Sequence, residues 1–193
     1  MKDIVRETGF SQGGVYKYFS NIEEVWLMLS RRYELQINFK AFFEELFAEP
    51  NPPQVVLKQV FEFLAQEINH SLNNGFSKLA FEFNTIYISQ PELLQAEQLT
   101  RQKTHSDNYG YNFLFARIIS YLSDCVQSGL LHPRQPLTTV LLFIQVTLDG
   151  IIRDATMELY FPDEQQDPDY SVTRNIDQLL DNLYDAVMVM LDY

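Results

Sequence analysis

Gln12, Tyr16, Lys17 and Tyr18 are the residues of this chain whose types and spacing suit a definite chemistry. A glutamine amide offers the donor and acceptor pair that matches the N6/N7 edge of adenine in a DNA major groove. Lysine and tyrosine side chains are suited to phosphate oxygens. Between them, Gly13 and Gly14 leave a bare backbone edge, which costs about 1 kcal/mol each inside a helix and makes sense where main chain must approach a neighbour closely. Gln12 with the Gly13-Gly14 edge is therefore predicted to meet bases, and Tyr16, Lys17 and Tyr18 to meet phosphates.

Those residues need a helix to present them. Ser11 is placed to cap one and is counted with Gln12, Gly13, Gly14, Tyr16, Lys17 and Tyr18 among the residues expected at DNA. Gly9 can take the left-handed conformation that ends a preceding helix and turns the chain. Ile4, Val5, Phe10, Val15 and Phe19 are expected to form a small core between the two. Two short helices joined by a glycine turn are the pattern of a helix-turn-helix. An ordinary helical hairpin with a Tyr/Phe core fits the same pattern.

The run Gly9-Phe10-Ser11-Gln12-Gly13-Gly14-Val15-Tyr16-Lys17-Tyr18-Phe19-Ser20-Asn21-Ile22-Glu23-Glu24-Val25 resembles the DNA-binding domain of the TetR (tetracycline repressor) family. That family's pattern is Ser-x-Gly-x-Leu-Tyr-x-Tyr/His-Phe, a polar pair, then Lys-Glu-Glu-Leu. A looser likeness to the family's C-terminal body lies in Ser128-Gly-Leu-Leu-His-Pro and in Leu148-Asp149-Gly150-Ile151-Ile152. The close match covers about the first 30 residues. Ile22 stands where the family has a phosphate-contacting lysine. The resemblance also implies a further helix of about 15–20 residues ahead of the turn. The natural start is accordingly expected upstream of Met1, since baring two core side chains costs roughly 3–6 kcal/mol.

Beyond the opening hairpin the spacing predicts helices only. Asn21 with Glu24 reads as a capping box opening a helix, with Ile22, Val25, Trp26, Leu29 and Tyr33 on one face, that runs to about Phe47. Pro50 to Pro53 stops it. Leu57, Val60, Phe61, Leu64 and Ile68 form the next stripe, ending near Asn73-Asn74-Gly75. A shorter segment follows at about 77–88, and Gln90-Pro91-Glu92 opens a stretch reaching Ser128-Gly129, with Gly110 marking a kink or a break. After the His132–Pro136 loop come a helix with Leu137, Val140, Leu141, Ile144, Leu148 and Ile152, an acidic connector from Phe161 to Ser171, and a last helix with Ile176, Leu179, Leu180, Leu183 and Val187. The expected class is all-α: residues 1–45 a partial helix-turn-helix with its connecting helix, and 46–193 a helical ligand-binding and dimerisation body.

Composition limits the function classes. The 193 residues carry a net charge of −12, unevenly spread. The first forty hold six basic and five acidic residues, and the rest eight and twenty-one. Phosphate would be met only at the N-terminal end. No apolar run is long enough to cross a bilayer and no secretory signal is legible, so a cytoplasmic protein is expected. Cys125, the one cysteine, is expected to be buried beside Leu122 and Val126. His70, His105 and His132 lack metal-ligand spacing, so neither metal nor cofactor is expected. Glu44-Glu45 and Asp163-Glu164 read as solvated pairs, and no catalytic motif is present. Asn69-His70-Ser71 matches a glycosylation acceptor by chance.

Phe61, Phe83, Tyr87, Phe113, Arg117, Tyr121 and Asp149 are candidates to line or orient a small-molecule site between helices near 57–68, 79–87 and 111–121, or else to serve as core and surface. The TetR resemblance implies a repressor released from a near-palindromic operator by an inducer. It also implies a homodimer joined through helices near 137–160 and 173–192, which would set two recognition helices about 34–36 Å apart. Two other readings stay open: an interaction protein that has lost DNA binding, and a helical enzyme built from scattered residues.

Overall fold

A computed structural model describes residues 1–89, 110–160 and 175–192, without the side chains of Glu34, 87–89 and 110–112. The Tyr87 side chain, the polar stretch before Gly110 with His105, and the connector with Asp163-Glu164 lie outside the described residues. Within them every regular element is helical: α1 (Lys2–Thr8), α2 (Gln12–Tyr16), α3 (Ile22–Gln36), α4 (Phe39–Leu46), α5 (Pro53–Asn73), α6 (Phe76–Ser89), α7 (Gly110–Gln127), α8 (Leu137–Tyr160) and α9 (Ile176–Met190). The all-α class holds.

Local chemistry accounts for most boundaries. Pro53 opens α5 at the position where a missing N–H costs nothing. Asn21 caps α3 by accepting from the Glu24 amide at 2.8 Å. Glu24 completes the exchange by accepting from the amide of Ser20 at 2.7 Å, one residue before the position a capping box uses. Gly110 opens α7.

One expected element is corrected. The helix from Asn21 ends at Gln36 instead of running to Phe47, because Ile37 is extended and Asn38 starts α4 by accepting from the Ala41 amide at 3.1 Å. The break turns Phe39, Phe43 and Leu46 into the main core, where each is at most 3% exposed. A continuous helix would keep the α3 direction.

The α5 stripe is the spine of that core. Leu57, Val60, Phe61, Leu64 and Ile68 are all buried, together with Leu114, Ile118 and Leu122 of α7, Val140, Ile144 and Leu148 of α8, and Leu180, Leu183 and Val187 of α9. Gln54, Lys58 and Asn69 of α5 meet Tyr184, Asp181 and Asp177 of α9, so the two helices run antiparallel. Cys125 is buried as expected, and burial pushes its thiol pKa up, which keeps it an inert thiol. The loop after α7 is tied to the end of α9, where the His132 and Arg134 amides donate to the carbonyls of Leu191 and Met190.

Candidate nucleic-acid interface

The first two helices form a compact turn of chain. Gly9 adopts φ 70° and its amide donates to the Val5 carbonyl, closing α1. A side-chain-bearing residue pays about 1–2 kcal/mol for that conformation, so glycine suits the position. Ser11 lies extended, and its Oγ accepts from the Gly14 amide at 3.0 Å. The helix it caps is one turn and a half long. Lys17 closes it, and Tyr18 follows on the turn.

Every side chain assigned to DNA from the sequence stands on the open side. Ser11, Gln12, Gly13, Tyr16, Lys17 and Tyr18 are exposed, Tyr18 by 74% and Tyr16 by 45%, and Gly14 is half-buried. Lys17 lies 5.9 Å from the centre of the Tyr18 ring and makes no ion pair among the described residues. Arg6 on α1 is held by its own helix, at 2.9 Å from both Asp3 and Glu7. Lys17 therefore presents a charge on the α2 side that no described carboxylate pairs with, whereas Arg6 is neutralised on α1.

The expected core of this hairpin is corrected. Val15 is buried and Ile4, Val5 and Phe19 are half-buried, but Phe10 is 68% exposed. It follows the left-handed Gly9 directly, and the reversal there aims it away from Val15. Helix α1 buries no residue fully.

The small-molecule candidates do not share one cavity. Phe83 is buried against Trp26 in a cluster of its own with Ile22, Phe76 and Leu79. Phe61 lies in the main core, edge-on to Tyr184 at 6.1 Å. Phe113 and Tyr121 flank α4, at 6.0 Å from Phe43 and 5.3 Å from Phe47. The Arg117 guanidinium lies over the same rings, 5.5 Å from Phe47. Asp149 is exposed on α8. Two spaces between helices stand out among the described residues. A void of about 10 Å³ separates α5, α7 and α8 around Phe61, Phe115 and Leu141. An open cleft of about 250 Å³ lies between α4 and α5 beside Phe42 and Phe63. Sequence reading passed over that cleft, because its walls alternate Phe, Glu and Gln without a motif.

Among the described residues no group of three or more His, Cys, Asp or Glu side chains is placed to hold a metal, and no helix is long and apolar enough to cross a membrane. No protein-family model matches the chain, and no solved structure matches it. A curated relative does: the chain is 31% identical over 167 residues to YfiR, an uncharacterized HTH-type transcriptional regulator of Bacillus subtilis (strain 168). The alignment spans 86% of this chain and 73% of that protein. A similarity of that extent, together with a capped second helix set across a left-handed glycine turn, places the chain among the HTH-type transcriptional regulators.

Proposed function

We propose that the protein is a ligand-responsive repressor of the TetR type, acting on double-stranded DNA in the cytoplasm. Residues 1–45 read the operator and 46–193 sense an inducer and dimerise. The observation that carries this reading is α2 itself, capped by Ser11 and presenting Tyr16, Lys17 and Tyr18 outward beside the exposed Gln12. Gln12 and the Gly13-Gly14 edge serve base contacts, and the other three serve the backbone.

Two features of the body support the rest. Leu142, Phe143 and Val146 on α8 and Val189 on α9 are exposed by 39–61%, an apolar face suited to a second copy of this chain. Pairing there doubles the α2 helix, as a near-palindromic operator requires. The void at Phe61 is apolar throughout and holds about one water at most. An inducer entering it must spread α5 from α7 and α8, and so binds one conformer better than the other.

The test is selection of duplex DNA from a random library by the protein, followed by binding isotherms across salt concentrations. The expected operator is a near-palindrome, and Lys17→Ala lowers the salt slope by about one per recognition helix. Enrichment of no duplex sequence overturns the reading in favour of an interaction protein.

A further inference from the structure

Helix α3 meets the body through alternating rings. Trp26 and Tyr33 lie two turns apart on α3, and Phe76 and Phe83 two turns apart on α6. They interleave as Phe83, Trp26, Phe76, Tyr33, with ring centres 4.7, 5.4 and 3.8 Å apart and planes within 24° of parallel. His70 of α5 extends the stack, 6.3 Å beyond Tyr33. Because the rings alternate between helices, α3 cannot slide along α6 without unstacking them. Movement within the ring planes keeps the faces in contact and is the permitted direction.

The inner end of this stack carries a defect. Among the described residues the Tyr33 hydroxyl is buried without a hydrogen-bond partner, in a residue only 8% exposed. No contact to it meets hydrogen-bond geometry. Burial and the Glu67 charge disfavour its ionised form, yet the Asn74 and Ser71 side chains on the α5 side are near enough to favour it. Ser71 already donates to the Ile68 carbonyl at 2.9 Å. A buried donor left unmade is costly, and a partner in reach makes a neighbouring arrangement competitive.

We infer that Tyr33 is a positioning residue with two seats: one with its hydroxyl unpaired, as here, and a second in which α3 shifts within the ring planes and the hydroxyl donates to the α5 side. The two seats hold α2 differently, so Tyr33 biases operator affinity without touching DNA. This rests on the DNA-binding reading above, but its first readout does not.

The experiment compares Tyr33→Phe with Tyr184→Phe in the full chain. Tyr184 donates to the Gln54 carbonyl at 3.1 Å, so its variant reports the loss of an ordinary part-buried bond. Melting temperature is measured without DNA, and affinity for the selected duplex is measured with it. Trp26, the chain's one tryptophan, supplies an emission signal from inside the stack. Tyr33→Phe is expected to melt no lower than wild type, to change operator affinity about fivefold or more, and to alter the Trp26 emission change on DNA binding. Tyr184→Phe melts lower and keeps its affinity within twofold. A Tyr33→Phe variant that melts lower than wild type overturns the inference, since its hydroxyl is then paired. Unchanged operator affinity overturns it equally. If wild type binds no duplex, the DNA reading fails by itself, while the melting comparison still decides whether the hydroxyl is unpaired.

Discussion

Lys58 Nζ lies 2.6 Å from Asp181 Oδ1, joining the middle of α5 to α9 across the outer edge of the core. The Lys58 stem also brings its charge to 5.1 Å from the centre of the Tyr184 ring. Asp181 holds the lysine pKa above its ordinary value through this hydrogen bond, against a smaller opposing effect of burial.

The pH dependence follows from that direction. A lysine with a raised folded pKa contributes stability that is complete below the unfolded value, near 10.5. The contribution is lost as pH rises through the folded value. Both side chains are more than a third exposed, so solvent screening limits the pair to about 0.2–1 kcal/mol. Lys58→Met is expected to unfold at slightly lower urea at pH 7, and the difference is expected to shrink as pH rises beyond the ordinary lysine value of 10.5. Paired denaturation curves at pH 7 and above that value check this.

The two glycines of α2 are not equivalent. A methyl group on Gly13 meets nothing within 4 Å, whereas one on Gly14 lies 3.0 Å from the Ser11 hydroxyl that caps the helix. Gly13→Ala gains about 1 kcal/mol of helix propensity. Gly14→Ala gains the same and loses much of a cap worth about 1 kcal/mol. Amide exchange across residues 12–17 is expected to slow in Gly13→Ala and to stay near wild type in Gly14→Ala. Equal protection in the two variants would contradict the capping geometry.

Phe83 fills the contact of α6 with Trp26, buried to 7% exposure. Phe83→Ala is expected to cost about 3–5 kcal/mol, the range for a large aromatic lost from a core. It also opens one face of Trp26 to water. Tryptophan emission is expected to move to longer wavelength in the folded variant, and a chemical melt measures the energy.

Strong periodicity made the body legible. The stripe after Pro53 is buried throughout, and those of α8 and α9 hold buried residues with Leu137, Leu141, Ile152 and Leu179 half-buried against the core. Each helix turns one apolar face inward, and proline or asparagine marks its start. The break between α3 and α4 was harder to see, since neither glycine nor proline interrupts Ile37-Asn38. The available signal was Asn38 itself, a capping residue ahead of Phe39-Lys40-Ala41. Phe10 was misread for a related reason: apolar character says a side chain favours burial, but the backbone reversal at Gly9 decides where it points. Periodicity also gives a face without its partner. Phe61 and Phe83 look alike in sequence, yet one joins the main core and the other pairs with Trp26.

The exposed face of α8 sets the last expectation. Leu142 and Val146 are one turn apart on α8 and are exposed by 59% and 61%, while Val140, Ile144 and Leu148 of the same helix are buried. The helix thus has apolar residues on two sides, of which one chain covers only one. A charge placed on the uncovered side leaves the monomer fold intact, because it remains in water there. In a pair of chains the same charge is desolvated, at a cost of several kcal/mol per ion. Val146→Glu is expected to keep the circular dichroism spectrum and the melting transition of a folded helical protein while light scattering reports half the wild-type mass. Operator affinity is expected to fall steeply with it, because a single α2 contacts one half-site only. A variant that keeps the wild-type mass would show that α8 pairs through another face or not at all.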